Sequence, residues 1–343
     1  MKDNRGTDAD SPKDIPGKGW KQVMLRVKGQ LGADNIHIVA AGVAFYFFLA
    51  LFPLLTAIIS IYGLVTEPAV VEQHIEQLAT YLPQEAHDLL AERLRSMAKD
   101  ASGSALGWGV ALSILLSLWS ANSGTKSLFE GINIAYDEEE GRGFLKLNGI
   151  TMLFTVGGIV LGSLGFALVV AFPALVGNLG LPGTLETVLQ WGRWVLLAAV
   201  LMFGLAVLYK VAPYRDNPKF RWVSWGSGVA TVLWLIGSLL FSWYVKNFGS
   251  YSETYGPVAA VIILMLWFNL TSFVILLGAE INSELEHQTA KDTTTGREEP
   301  MGQRGAFHAD RVAGGTEDDG SPDNGGSGSD RRDNGRPDRR YQQ

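Results

Sequence analysis

Residues Ile36–Val65, IHIVAAGVAFYFFLALFPLLTAIISIYGLV, decide the fold, because thirty consecutive positions carry no acidic or basic residue apart from His37. As a helix rising about 1.5 Å per residue the run is about 45 Å long, more than the hydrocarbon core of a bilayer. It must tilt, bend or begin among the headgroups. Pro53 marks the expected helix bend, since proline removes a backbone hydrogen bond in mid-helix. Further apolar runs follow at about 104–119, 150–173, 191–211, 223–245 and 257–281. Pro173 and Pro213 stand as terminators after two of them, and Pro257 opens the last, where its missing N–H costs least. The pattern predicts an all-α integral membrane protein with six transmembrane helices in residues 36–287.

Composition supports this reading and narrows the chemistry. The 343 residues are 47% hydrophobic, but the ends are polar and the middle is oily, so an ordinary soluble enzyme is excluded. With no cysteine there is no disulfide framework, thiolate metal site or cysteine nucleophile. A net charge of −6 argues against a generally basic nucleic-acid binder. With a cytoplasmic N-terminus, the inner segments hold Lys18, Lys21, Arg26, Lys28, Lys126, Arg142, Lys146, Lys210, Arg215, Lys219, Arg221, Lys291 and Arg297. The outer ones hold Arg93, Arg95, Lys99, Arg193 and Lys246. That bias follows the positive-inside rule and places both termini in the cytoplasm.

Four segments lie outside the predicted bundle. Residues 1–17 read as a disordered cytoplasmic N-terminus with no cleavable signal peptide. Residues 18–35 read as a basic amphipathic interfacial helix, with Trp20, Met24, Val27 and Leu31 at helical spacing. It would lie on the inner leaflet against anionic lipid, the other reading being an extension of the first span. Residues 67–103 form an outer helical loop of two amphipathic helices divided by Pro83, with seven acids to three bases. That loop is either a cation-attracting vestibule or an ordinary solvated face. Residues 288–343 are rich in Gly, Asp, Arg, Ser and Pro and read as a disordered cytoplasmic tail, so that removal of residues 295–343 is expected to leave folding intact.

Polar residues at membrane depth are functional candidates by default, and this chain has few. Asn269 falls near the middle of the last span and Glu280 at its inner end; Asn122 and Lys126 follow the second span. These four are the candidate substrate or gating residues, each with a plainer role as a helix fastener. A Lys126–Glu280 ion pair is expected at the inner rim. Gly158 and Gly162 form a GxxxG read as helix packing, as do Gly226 with Ala230. The five histidines are scattered and no phosphate loop or nucleophile motif occurs; nothing asks for a metal, a cofactor or a catalytic residue.

Ala40–Leu55 (AAGVAFYFFLALFPLL), Leu118–Lys146 (LWSANSGTKSLFEGINIAYDEEEGRGFLK), Leu208–Pro213 (LYKVAP) and Thr254–Glu286 (TYGPVAAVIILMLWFNLTSFVILLGAEINSELE) resemble the signatures of the YihY / virulence factor BrkB family of bacterial inner-membrane proteins. The resemblance covers most of residues 20–287 and implies a six-span protein of the bacterial cytoplasmic membrane. The family has carried the label ribonuclease BN, against which the sequence offers no His/Asp cluster to hold metal ions and no basic groove for RNA. Three functions follow: transport or flipping of an unidentified substrate; a structural or assembly role in the cell envelope; and, least supported, a membrane-attached tRNA-processing ribonuclease. The bilayer is the expected partner, and no nucleic acid is.

Overall fold

A computed structural model describes residues 5–65, 104–178, 182–247 and 257–313. The segment 67–103, for which an outer loop of two amphipathic helices is expected, lies outside the described residues. Those described form seven α-helices: α1 Gly17–Ala33, α2 Ile36–Val65, α3 Ser104–Ala135, α4 Phe144–Asn178, α5 Gly183–Val211, α6 Phe220–Asn247 and α7 Pro257–His287. A 3₁₀ turn at Pro12–Asp14 precedes them. Five stretches, in α2, α4, α5, α6 and α7, are long and apolar enough to cross a membrane. The expected span at 104–119 forms the first half of α3 and is not one of those five; its polar continuation does not end the helix, which runs on to Ala135.

Proline positions decide several boundaries. Pro257 opens α7, as expected, and Pro213 follows α5. Pro173 corrects the reading: it does not terminate its helix, which continues to Asn178 with the proline inside. Pro53 lies inside α2, which continues for three turns beyond it.

Burial is concentrated at one end of the bundle. The main apolar cluster takes Ile36, Ala40 and Val43 from the start of α2, Phe129, Ile132 and Tyr136 from the end of α3, Leu205 and Tyr209 from the end of α5, Val223 and Ala230 from the start of α6, and Leu276 and Ala279 from the end of α7. Consecutive long helices therefore run in opposite directions from this end. The far halves leave large apolar side chains outside, including Leu115 at 63%, Trp191 at 71% and Leu239 at 72% exposure. Such surfaces suit a lipid solvent and would be unstable in water.

Close helix approach occurs between α6 and α7, not at the expected GxxxG. A Cβ added at Gly226 would run into the Gly278 carbonyl and the Asn282 side chain, and one at Gly278 into the Tyr209 hydroxyl and Ala230. Added Cβ atoms at Gly158 and Gly162 meet nothing within 4 Å, so these two glycines pack no other helix within the described chain. Gly226 and Ala230 lie at a close helix contact as read, whereas Gly158 and Gly162 meet no other helix among the described residues.

The described parts of both polar ends, residues 5–16 and 288–313, depart from the expectation of disorder. Residues 5–16 and α1 pack on the end of α7: Ala9, Ile15, Val23 and Val27 share a second core with Trp222, Ile281 and Leu285. Helix α1 therefore spends Val23 and Val27 on protein, while Met24, expected on its apolar stripe, is 42% exposed. Asn35, at a positive φ of 51°, breaks α1 from α2, a conformation that Asn tolerates better than most residues. The extension of the first span's helix is thus not formed.

Residues 288–313 are folded as well. The backbone N–H of Ala290 donates to the Thr7 carbonyl, and that of Lys219 to the Thr293 carbonyl at 2.8 Å. Arg304 donates to the carbonyls of Ala290, Glu299 and Ala309, and Ala306, His308 and Ala309 are buried. Hydrogen bonds and small side chains close this segment, which is why a hydropathy argument reads it as tail. The expected disorder from Gln288 is corrected at least to residue 313.

This packing replaces the expectation that residues 295–343 are dispensable. Deleting residues 314–343 should leave the melting temperature in detergent unchanged. Deleting residues 289–343 should lower it by several degrees or abolish extraction, because the partners of Thr7, Lys219 and Glu286 go with it.

Candidate functional site

The closed end carries a buried network of charged and polar groups built on the last turns of α7. Helix α7 presents Glu280, Asn282, Ser283, Glu284 and Glu286, each at most 1% exposed. Buried carboxylates are stable only when paired or hydrogen-bonded, and successive acids here meet different partners. Glu286 accepts from Arg215 Nη2 at 2.8 Å on both oxygens and from Thr293 Oγ1 at 2.7 Å. Both side chains of that pair are essentially removed from water, at 1% and 0% exposure. The Arg215 guanidinium also lies over the Tyr136 ring at 4.9 Å. One ion pair thus joins the α5–α6 loop, the end of α3, α7 and residues 288–313.

Glu284 is held from the other side. Arg26 of α1 donates through Nε to its carboxylate and through Nη2 to its backbone carbonyl and to Gln288 Oε1. Gln288 Nε2 in turn donates to the Arg5 carbonyl. Asn282 lies flat on α6, with its Oδ1 accepting from the Gly226 N–H at 2.8 Å and its Nδ2 donating to the Val223 carbonyl at 3.3 Å. Tyr209 donates to the Ile275 carbonyl at 2.8 Å and ties α5 to α7.

The turn after α3, inside the DEEEGRGF stretch, works as a clamp. Arg142 Nη2 donates to the Val211 and Ala212 carbonyls at 3.1 and 2.7 Å, satisfying groups that the end of α5 leaves open and placing a cation where the helix dipole is negative. Asn133 accepts from the Tyr214 N–H and donates to Glu140, whose other oxygen accepts from the Arg142 N–H. Asp137, at φ 53°, meets His308 Nε2 at 3.1 Å.

The sequence-derived candidates are not brought together. Lys126 does not pair with Glu280: its ammonium lies over the rings of Trp119 and Phe144 at 5.3 and 6.0 Å, a cation–π arrangement at a partly exposed site. Glu280 Oε1 has no hydrogen-bond partner among the described residues, and the Asp34 carboxyl, at the α1–α2 junction, is pushed up to about 6, first by burial and then by the charge of Asp137. Asn122 is fully buried, and its Oδ1 accepts from Thr155 Oγ1 at 3.1 Å; Thr155 is also 2.7 Å from Thr125 Oγ1. Asn122 Nδ2 has no partner among the described residues. Asn269 is half-buried in the middle of α7. Sequence reading missed Arg215, Arg142, Asn133, Asn282 and Asp34; the signal was a run of acids ending an apolar helix, which demands cations from elsewhere.

The Virulence factor BrkB family profile matches residues 27–302, a range that includes Arg142, Arg215 and most of the folded segment after α7. The chain belongs to that family. It is 32% identical over 251 residues to the ribonuclease-like protein YfkH of Bacillus subtilis, covering 72% of this chain and 88% of that protein. It is 29% identical over 253 residues to a UPF0761 membrane protein of Chromobacterium violaceum, covering 73% of this chain and 58% of that longer relative. A UPF0761 membrane protein of Idiomarina loihiensis is 26% identical over 269 residues, with 76% and 90% covered. No solved structure matches the chain. Among the described residues no group of three or more His, Asp or Glu could hold a metal ion.

The network makes a direct prediction. Arg215→Ala leaves the Glu286 carboxylate buried without its cation and should destabilise the protein by about 3–5 kcal/mol, read as a large fall in melting temperature. Arg221→Ala, at an exposed arginine nearby, should change it little.

Proposed function

We propose that this BrkB-family membrane protein is a six-span protein of the bacterial cytoplasmic membrane that moves or flips a substrate, with both termini and the polar closed end in the cytoplasm. Residues 5–16 and 288–313 pack at the same end of the bundle, which agrees with an even number of crossings, and many of the basic residues lie near it. The observation that carries the transport reading is the contrast along the bundle axis. One end is closed by a dense polar network, and where that end gives way to the apolar halves, Asn122, Thr125 and Thr155 form a polar cluster with an unused amide donor. A buried donor without a partner costs free energy and fits a place where a polar substrate group or water is accepted. In this reading Asn122 and Asn269 line the route, while Glu280 belongs to the closed inner gate.

The exposed Lys18, Lys21 and Lys28 on α1 are positioned for anionic lipid headgroups, while Arg26 is committed to Glu284. A structural or assembly role in the envelope is the second reading, favoured by the use of Arg26, Arg142 and Arg215 as fasteners. The ribonuclease-like name of the B. subtilis relative gives the weakest reading, since hydrolysis of a phosphodiester by metal ions needs a ligand cluster.

Single cysteines in this cysteine-free chain separate the readings in intact cells. Under the transport reading, Asn269→Cys reacts with a membrane-impermeant thiol reagent added outside, whereas Asn217→Cys, in the α5–α6 loop, reacts only after the cytoplasmic side is opened. Protection of Asn269→Cys from both sides, with full reaction after denaturation, supports the envelope role. Outside labelling of Asn217→Cys overturns the topology.

A further inference from the structure

Arg26, Arg142, Arg215 and Arg304, at the closed end, each donate to a carboxylate or a backbone carbonyl. Arg193 lies elsewhere and is not held in that way. It belongs to α5, inside one of the five stretches able to cross a membrane, about 25 Å along the helix axis from Lys210 at the closed end. In a hydrocarbon core about 30 Å thick, that depth is just short of the opposite headgroups. Its side chain is half-buried, and its Nε and Nη1 are shielded from solvent with no hydrogen-bond partner among the described residues. The guanidinium lies 5.3 Å from the Trp194 ring. Glu186, the nearest acid along the same helix, stands about two turns farther out. A cation at such a depth is costly unless an anion or water meets it.

The surroundings select the kind of anion. Leu197 comes within 3.8 Å of a Cβ built on Gly165, and Leu161 within 3.7 Å of one built on Gly204. Helices α4 and α5 therefore pack in antiparallel register, and Arg193, one turn from Leu197, stands on the face of α5 that looks toward α4. The same register brings Arg193 about level with Val169, whose carbonyl has lost its helical donor to Pro173. The mouth of this crevice thus holds a cation and an acceptor that do not satisfy each other. Trp191, Trp194 and Val195 on α5 and Leu164 on α4 are exposed, so the crevice opens onto acyl chains, and tryptophans at this level mark a membrane–water interface. An arginine that only reaches up to the headgroups keeps its nitrogens in water; here two of them are held against protein.

We propose that the mouth of the α4–α5 crevice binds the phosphate of a membrane lipid in the leaflet opposite the closed end, with Arg193 as the phosphate ligand. The planar guanidinium offers paired N–H donors to two phosphate oxygens. The Val169 carbonyl accepts from a headgroup hydroxyl, and the acyl chains run toward the midplane past Val195 and Leu164. The site depends on α4 and α5 crossing a bilayer and not on the transport reading, which thiol labelling at Asn269 tests separately.

The test uses the full chain in a sugar detergent without phosphate and reads thermal unfolding. Diheptanoyl phosphatidylglycerol should raise the melting temperature saturably by several degrees. Diheptanoyl glycerol, which lacks the phosphate, and inorganic phosphate, which lacks the chains, should not. Arg193→Gln should shift the lipid response to about tenfold higher concentration. Arg193→Lys keeps the charge without the planar fork and should shift it less. Lys246→Gln, at an exposed lysine where α6 ends on the same side of the bundle, should leave it unchanged. Without lipid, Arg193→Gln should melt at or above the parent temperature, because an unpaired, half-buried cation has been removed. A lower melting temperature there, or failure to fold, shows that the chain itself pairs Arg193 and overturns the site. A lipid response unchanged in both Arg193 variants, an equal response to inorganic phosphate, or equal losses in Arg193→Gln and Lys246→Gln overturns it as well.

Discussion

The buried ion pair between Arg215 and Glu286 is the constraint around which the closed end is arranged. An arginine and a glutamate removed from water cost several kcal/mol each in lost hydration, so neither occupies its place unless the other is already there. Meeting that condition requires α7 to continue past the apolar core and the loop after α5 to turn back over it. Thr293 must also return to bond the same carboxylate. Tyr136, at the end of α3, then has a guanidinium on its ring face. Four separate parts of the chain are placed by one charge pair.

Packing within the bilayer works differently. Lipid gives no hydrophobic drive for helices to associate, so close approach depends on small residues and interhelical hydrogen bonds. Gly226 and Gly278 provide the approach of α6 to α7, and Asn282 and Tyr209 provide the bonds. Where these devices are absent, toward the far halves, large apolar side chains face outward. The division into a specified polar end and a less specified apolar end follows from where hydrogen-bonding side chains occur along each helix.

Much of the architecture was legible in the sequence because helix length and hydropathy report directly on membrane crossing. The apolar runs at 36–65, 150–173, 191–211, 223–245 and 257–281 reappear as the cores of long helices. The candidate site was far less legible. Lys126 and Glu280 looked like partners because both border apolar stretches, but hydropathy carries no information on which side chains face each other, and a cation has the faces of Trp119 and Phe144 as an alternative. Asp34 was hidden in a short polar joint, where the left-handed Asn35 rather than any apolar pattern fixes its position. Residues 288–309 were hidden for a related reason. Their fold rests on Arg304 bonding three carbonyls and on Asp292 accepting from Thr294 and Glu299, and threonine, aspartate and arginine count as disorder-promoting in any compositional reading.

Family membership, helix lengths and the distribution of apolar surface all bear on where the protein resides. The central claim is that the polar end of the bundle is one folded unit with residues 5–16 and 288–313. Hydrogen–deuterium exchange of the full chain in lipid nanodiscs measures this directly. Amides of residues 288–309, with those of Ala9 and Ile15, should exchange slowly, alongside the inner turns of α7; exchange of residues 288–309 at the rate of an unstructured peptide would contradict the account.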